Sequence, residues 1–234
     1  MIRRIIFTLG VFSFLIGLGL FLYPQINGWL INRENKKVID KFQEERNNQI
    51  KGEVAVEKVN PELYEAIREY NLELFETGQT DLKDAWSYEQ PPLDLEEFSL
   101  KEGVIGYIEI PKMKVELPLY LGASSENMSK GAAVLGETSI PIGGVNSNSV
   151  IACHRGFRGA PYFKDIEKLQ IGDSVYITNP WEELVYQVEE IEIIDPYEIS
   201  KVLIHEGKDM ITLVTCHPYR VSTHRYVVYC QRVE

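Results

Sequence analysis

The sequence predicts a mainly β domain, a barrel or sandwich of about eight short strands, carried behind an N-terminal membrane-spanning helix. Three observations lead there. From Ile5 to Tyr23 the chain carries no charged residue. From Val104 onward, short apolar runs alternate with Pro, Gly, Asn and Asp, the punctuation of strands and turns. A content of 44% hydrophobic and 11% aromatic residues supplies a packed core, which excludes wholesale disorder.

The apolar run continues uncharged through Pro24 to Ile31 and is long enough to cross a hydrocarbon core as a helix. A cleaved signal peptide would have a shorter apolar region and a small-residue cleavage site, and none is present. A buried core helix is disfavoured by the length and by the lack of a polar face. Arg3 and Arg4 on the short side favour a cytoplasmic N-terminus, and Arg33, Lys36 and Lys37 weaken that preference without reversing it. Residues 1–31 are therefore expected to be a cytoplasmic tip and signal anchor, single-pass in the cell membrane, with everything after it outside the cell.

Residues 32–80 read as a helical stalk and N-terminal helices. The first part is charged, with Val38, Ile39 and Phe42 as a thin apolar stripe, so a helical stalk or a loose linker would both fit it. A cleaner helix follows. Asn60 is a fair N-cap, Pro61 occupies the first helical position, and Gly78 supplies the stop. Leu63, Ile67, Tyr70 and Leu74 recur at helical spacing and are expected to pack on the main domain. The expected strands are then VIGYIEI, VELPLY, AAVL, SVIA, SVYIT, LVYQVEEIEII, MITLVT and RYVVYCQRV.

The formal net charge of -11 argues against a nucleic-acid partner, because an acidic surface repels phosphate. Cys153, Cys216 and Cys230 are too few and too irregular for a disulfide framework, and an odd number leaves a thiol free unless it pairs between chains. A thiol retained outside the cell calls for a use. Cys216 ends the MITLVTC strand, and the next strand starts near Arg225. In an antiparallel hairpin the two would lie across from each other. An arginine there favours the thiolate and can donate to a developing oxyanion.

Such a nucleophile needs a proton donor for its leaving group, and histidine is the usual choice. Of four histidines, His205 lies in a charged turn, His217 adjoins Cys216 and should point elsewhere, and His224 should face the opposite side from Arg225. His154 ends the SVIAC strand before a sharp exit at Arg155-Gly156 and is the best placed. Read as zinc ligands, Cys153-His154 and Cys216-His217 suffer from the same alternation, since strand neighbours point to opposite faces.

These residues form a recognisable pattern. TLVTC with the downstream Arg225, and His154 within HRG, resemble the signature of sortases. GYIEIPKMKVELPLY, SIPIGG, NSVIACHRGF, APYFKDIEKLQIGDSVYI and STHR extend the resemblance, over about residues 64 to 233, to the class C sortases that polymerise pilins. The resemblance implies an eight-stranded sortase β-barrel over 100–234. It implies that Cys216 attacks the Thr–Gly bond of an LPxTG-like sorting signal and forms a thioester. His154 would protonate the departing amine and deprotonate the incoming one, and Arg225 would hold the peptide and stabilise the oxyanion. With reference pKa values of about 8.5 for Cys and 6.5 for His, the thiolate–imidazolium pair would be the minor form. The incoming amine would be a pilin lysine. No cofactor and no metal is expected.

The resemblance also implies a lid over 81–99, usually an Asp-Pro-aromatic motif. Asp84-Ala85-Trp86 stands at the matching position, with Asp84 expected to pair with Arg225 and Trp86 to cover Cys216. Ala85 replaces the usual proline, which loosens the backbone. Cys153 stands where the family has glycine, and oxidation with Cys216 is one expectation to test. Many class C enzymes also end in a second membrane helix, whereas this sequence ends at Glu234, which favours the rival reading of a sortase that anchors proteins to peptidoglycan amines. A membrane-tethered binding module with an inert Cys216 and a hydrolytic cysteine protease are the remaining alternatives.

Overall fold

A computed structural model describes residues 2–52, 60–80, 82, 93, 98 and 103–233. Three helices, α1 (Ile2–Gly52), α2 (Pro61–Thr77) and α3 (Ser125–Lys130), accompany eight strands. These are β1 (Val104–Ile110), β2 (Val115–Leu121), β3 (Ala132–Val134), β4 (Ser147–Ala152), β5 (Ser174–Thr178), β6 (Glu183–Ile194), β7 (Asp209–His217) and β8 (His224–Arg232). They close into a barrel in the order β1-β2-β3-β4-β7-β8-β6-β5. The pairs β2–β3 and β4–β7 are parallel and the others antiparallel. The barrel is the expected mainly β fold, and each strand lies on the run that predicts it.

Two apolar layers account for the near-continuous hydrophobic strands. One cluster takes residues from all eight strands, among them Ile108, Leu119, Val134, Ile151, Ile177, Leu184, Leu213 and Val228, and fills the interior. A second lies on the outer face of the wall and includes Tyr120, Ala133, Val150, Met210, Val214, Val227 and Phe42 of α1. Strands buried on both faces lose the alternation of a half-exposed sheet.

α1 is one continuous helix from the apolar run through the charged stretch, with Pro24 inside it, so the stalk is helical and no loose linker intervenes before Gly52. Its first half is long and apolar enough to span a membrane. Gly28, Asn35, Ile39 and Phe42 recur at helical spacing and are buried on the barrel. Phe42 meets Tyr107 edge-on at 6.2 Å, and Gln43 Nε2 donates to the Tyr107 hydroxyl at 3.0 Å.

α2 begins and ends as its sequence dictates. The Asn60 side chain accepts from Leu63 N, Pro61 starts the first turn, and Gly78 closes the helix at φ 65. Leu63, Ile67, Tyr70 and Leu74 are buried as expected, together with Asn71, whose amide exchanges hydrogen bonds with both backbone groups of Ile140 at 2.8 and 2.9 Å. The short α3 and a 3-10 segment over Tyr162–Lys168 carry too little periodicity to be foreseen.

Candidate active site

Three neighbouring strands end together. β7 runs parallel to β4, with Ala152 opposite Val214, and antiparallel to β8, with Cys216 directly opposite Arg225. The hairpin register expected from the sequence is therefore present. Alternation then sorts the side chains. Val150, Ala152, Met210, Val214, Val227 and Tyr229 lie on the outer layer, and His154, Cys216 and Arg225 continue the same parities. All three line one pocket of about 50 Å³, with Ala123, Met128, Leu135, Ala152 and Val214 as its apolar walls.

His154 and Cys216 are each partly exposed. The imidazole stacks on Phe157, rings 4.8 Å apart and 14° from parallel, which fixes its plane. Burial holds its pKa below the ordinary histidine value, because the charged form loses solvation. The Arg225 guanidinium donates to His224 O at 3.1 Å, which curls it toward the loop. Asp84 and Trp86, the expected lid residues, lie outside the described residues.

The other histidines fall where alternation puts them. His205 is exposed, and His224 is exposed with its ring against Thr223 Oγ1 at 2.9 Å. His217 turns away from Cys216 and meets Arg155 Nη1 through Nδ1 at 2.8 Å. Cys153 likewise turns inward, into the interior layer, with Sγ 3.6 Å from Gly131 O. Burial raises its thiol pKa well above the ordinary range. Cys153 and Cys216 both border the pocket, but Cys153 Sγ is turned to the interior layer, and that orientation opposes a disulfide between them.

A supporting cluster was not foreseen. Arg155, side chain 5% exposed, reaches Glu167 at 2.6 Å, His217 at 2.8 Å and Cys216 O at 3.4 Å. Its guanidinium also lies 5.9 Å from the Tyr226 ring. Each member except Glu167 directly follows a pocket residue in the chain: Arg155 after His154, His217 after Cys216, Tyr226 after Arg225. The available signal was that adjacency, combined with strand alternation.

A larger cavity of about 440 Å³ lies at the other end of β7 and β8, lined by Glu182, Asp209 and Arg232 among others. Asp209 accepts from Gly144 N at 2.8 Å and from the Tyr186 hydroxyl at 3.1 Å. It offers charge and space but no nucleophile.

A barrel wall bearing a thiol, an imidazole and a guanidinium on one small pocket has the groups that a cysteine acyl-transfer enzyme needs. The sortase-domain family profile matches residues 108–233, and the chain belongs to the sortase family, whose members are cysteine transpeptidases. Sortase A of Bacillus anthracis is 33% identical over 74% of this chain and 80% of its own length. Among solved structures, sortase C of Clostridium perfringens with the C-terminal cell wall sorting motif is 36% identical, with a TM-score of 0.70 over 85% of this chain and 98% of that one. Sortase C of Streptococcus pneumoniae, described with its pilin substrate specificity, is 29% identical, with a TM-score of 0.65 over 85% and 97%.

Proposed function

We propose that the chain is a pilus-assembling transpeptidase, which cleaves an LPxTG-like sorting signal between Thr and Gly and joins the threonine to a pilin lysine. The observation that carries this is the convergence of His154, Cys216 and Arg225 on one pocket, together with the sortase C likeness over most of the chain. Cys216 Sγ attacks the threonine carbonyl carbon. The oxyanion develops beside Arg225, and charge-assisted donors there are worth most where water is excluded. His154 gives a proton to the glycine nitrogen as the C–N bond breaks, leaving a thioester. A lysine ε-amine then attacks, His154 takes its proton, and the C–S bond breaks to return the thiolate.

Burial of His154 favours its neutral form, because the imidazolium loses solvation there. Arg225 stands directly opposite Cys216 across the hairpin, where its guanidinium can donate to the oxyanion. By resemblance, Asp84 would pair with Arg225 and Trp86 would cover Cys216 as a lid. The catalytic domain works outside the cell, held by α1 in the membrane.

The test offers the full chain an LPxTG-like donor peptide with two competing acceptors, a lysine-bearing pilin peptide and a peptidoglycan cross-bridge amine. Predominant isopeptide product supports pilin joining. Predominant cross-bridge product would assign wall anchoring instead, and hydrolysis in the presence of both amines would assign a protease.

A further inference from the structure

The end of the barrel that carries the pocket is also the end on which the apolar half of α1 docks. Within the uncharged run to Ile31, the stretch Ile5–Tyr23 alone, at about 1.5 Å per residue, is as long as a hydrocarbon core of about 30 Å, and α1 touches the barrel within the next turn and a half. Gly28 lies against Gly159, and Gly159 against Pro24, so closely that a Cβ on either glycine would overlap the facing backbone. Gly159 has φ +93, a second reason for glycine there. Asn27 Nδ2 donates to Arg158 O. At about 1.5 Å per residue, Gly28 is roughly 8 Å beyond Tyr23, which is headgroup depth. Trp29, 59% exposed, and Arg33, 5.5 Å from its ring, sit beside this docking point on α1. That pairing suits the water–lipid boundary.

The loop docked on α1 is the exit from His154, and it touches the loop after Cys216: the Gly156 position faces the Tyr219 ring. These two segments, HRGFRGA (154–160) and HPYRVSTHR (217–225), hold four arginines and three of the four histidines and no Asp or Glu, in a chain of net charge -11. Arg155 is engaged with Glu167, and Arg225 belongs to the pocket. Arg158 and Arg220 are exposed, each over an aromatic neighbour, Phe157 at 5.0 Å and Tyr219 at 5.2 Å. Val221 is 64% exposed beside them. Cationic heads, aromatic rings and an exposed aliphatic tip make an amphipathic rim.

We infer that this rim, Arg158 with Tyr219, Arg220 and Val221, rests on anionic phospholipid headgroups and holds the mouth of the pocket at the bilayer surface. The inference rests on α1 being the membrane anchor. The net charge of -11 lies outside these two segments and is repelled by the same lipids, so charge and docking favour one orientation.

The test places an environment-sensitive fluorophore on Val221→Cys in the full-length Cys216→Ala chain, in vesicles of phosphatidylcholine with phosphatidylglycerol. Cys153 and Cys230, 2% and 0% exposed, stay unlabelled. Matched probes go on Val145→Cys, 68% exposed in the turn before β4 at the far end of the barrel, and on Phe14→Cys within the apolar run. A headgroup-level nitroxide lipid should quench the 221 probe at least about twofold more than the 145 probe. The difference should shrink when phosphatidylglycerol is omitted or when Arg158 and Arg220 are changed to Glu. Equal quenching at 221 and 145, with the Phe14 probe quenched from within the acyl chains, would overturn the inference and leave the anchor standing. An unquenched Phe14 probe would overturn both. A 221 probe quenched equally without anionic lipid would remove the headgroup charge from the account.

Discussion

At one end of three neighbouring strands, His154, Cys216 and Arg225 face the outer pocket, while the residues that follow them, Arg155, His217 and Tyr226, face the other way. The two sets are covalent neighbours, yet their surroundings differ. The outer three are partly exposed around a small apolar cavity. The inner three are drawn together by Arg155, which ties Glu167, His217 and the carbonyl of Cys216. A strand end held from behind can present a reactive side chain in front without a long loop. Reactivity and rigidity are separated by one residue of alternation.

The largest expected effects fall on the outer face. Cys216→Ala should reduce transpeptidation by at least about 10³-fold without lowering the melting temperature, because in the proposed mechanism the thiol supplies the covalent step, and it adds little to the packing. The same contrast predicts that a small thiol reagent labels one cysteine per native chain. Cys216 is partly exposed, whereas Cys153 and Cys230 are buried with their thiol pKa values pushed up. Peptide mapping that found Cys153 labelled in the native state would break the assignment of faces.

Next comes the inner face. Arg155→Met removes a buried guanidinium and strands His217 and Glu167. Glu167 is 51% exposed and can turn to water, so the cost should be about 2 kcal/mol rather than the larger loss of a fully buried pair. That corresponds to a fall of roughly 4–8 °C in Tm for a domain of this size. Turnover should fall with little change in KM, since the pocket walls remain. A thermal shift within experimental error would show that the cluster does not hold the strand ends together.

The smallest effect is a pH dependence. His154 has its pKa lowered by burial, so the unfolded state binds the proton more readily than the native state. Stability should therefore fall as pH drops through the ordinary histidine range and level off below the native pKa. His154→Gln should flatten that slope in urea titrations at several pH values. A slope unchanged by the substitution would place its origin at another group.

Much of this was legible in the sequence, for identifiable reasons. The strands were visible for two reasons: β3, β4 and most of β7, covered on both faces, read as nearly unbroken runs, whereas β6 alternates buried Leu184, Tyr186 and Val188 with exposed Glu183, Gln187 and Glu189. The Cys216–Arg225 register followed from a hairpin whose two strands are each well marked. The continuity of α1 was not legible: its barrel-facing stripe is Gly28, Asn35, Ile39 and Phe42, and a buried Gly and Asn carry no hydrophobic signal. Gly28 against Gly159 is a contact across more than a hundred residues, which local pattern cannot reveal. The Arg155 cluster was missed because an arginine in a loop reads as solvated until Glu167 and His217 are known to be near.

The most direct test of the central claim is the intact mass of the full-length chain, in detergent, after incubation with an LPxTG-like peptide. An Asp84→Ala/Trp86→Ala form should be measured alongside. The account predicts a mass gain equal to the peptide's acyl fragment ending in threonine, released by hydroxylamine and absent from Cys216→Ala. An adduct that persists in Cys216→Ala, or none in the Asp84→Ala/Trp86→Ala form whose Cys216 still reacts with a small thiol reagent, would contradict it.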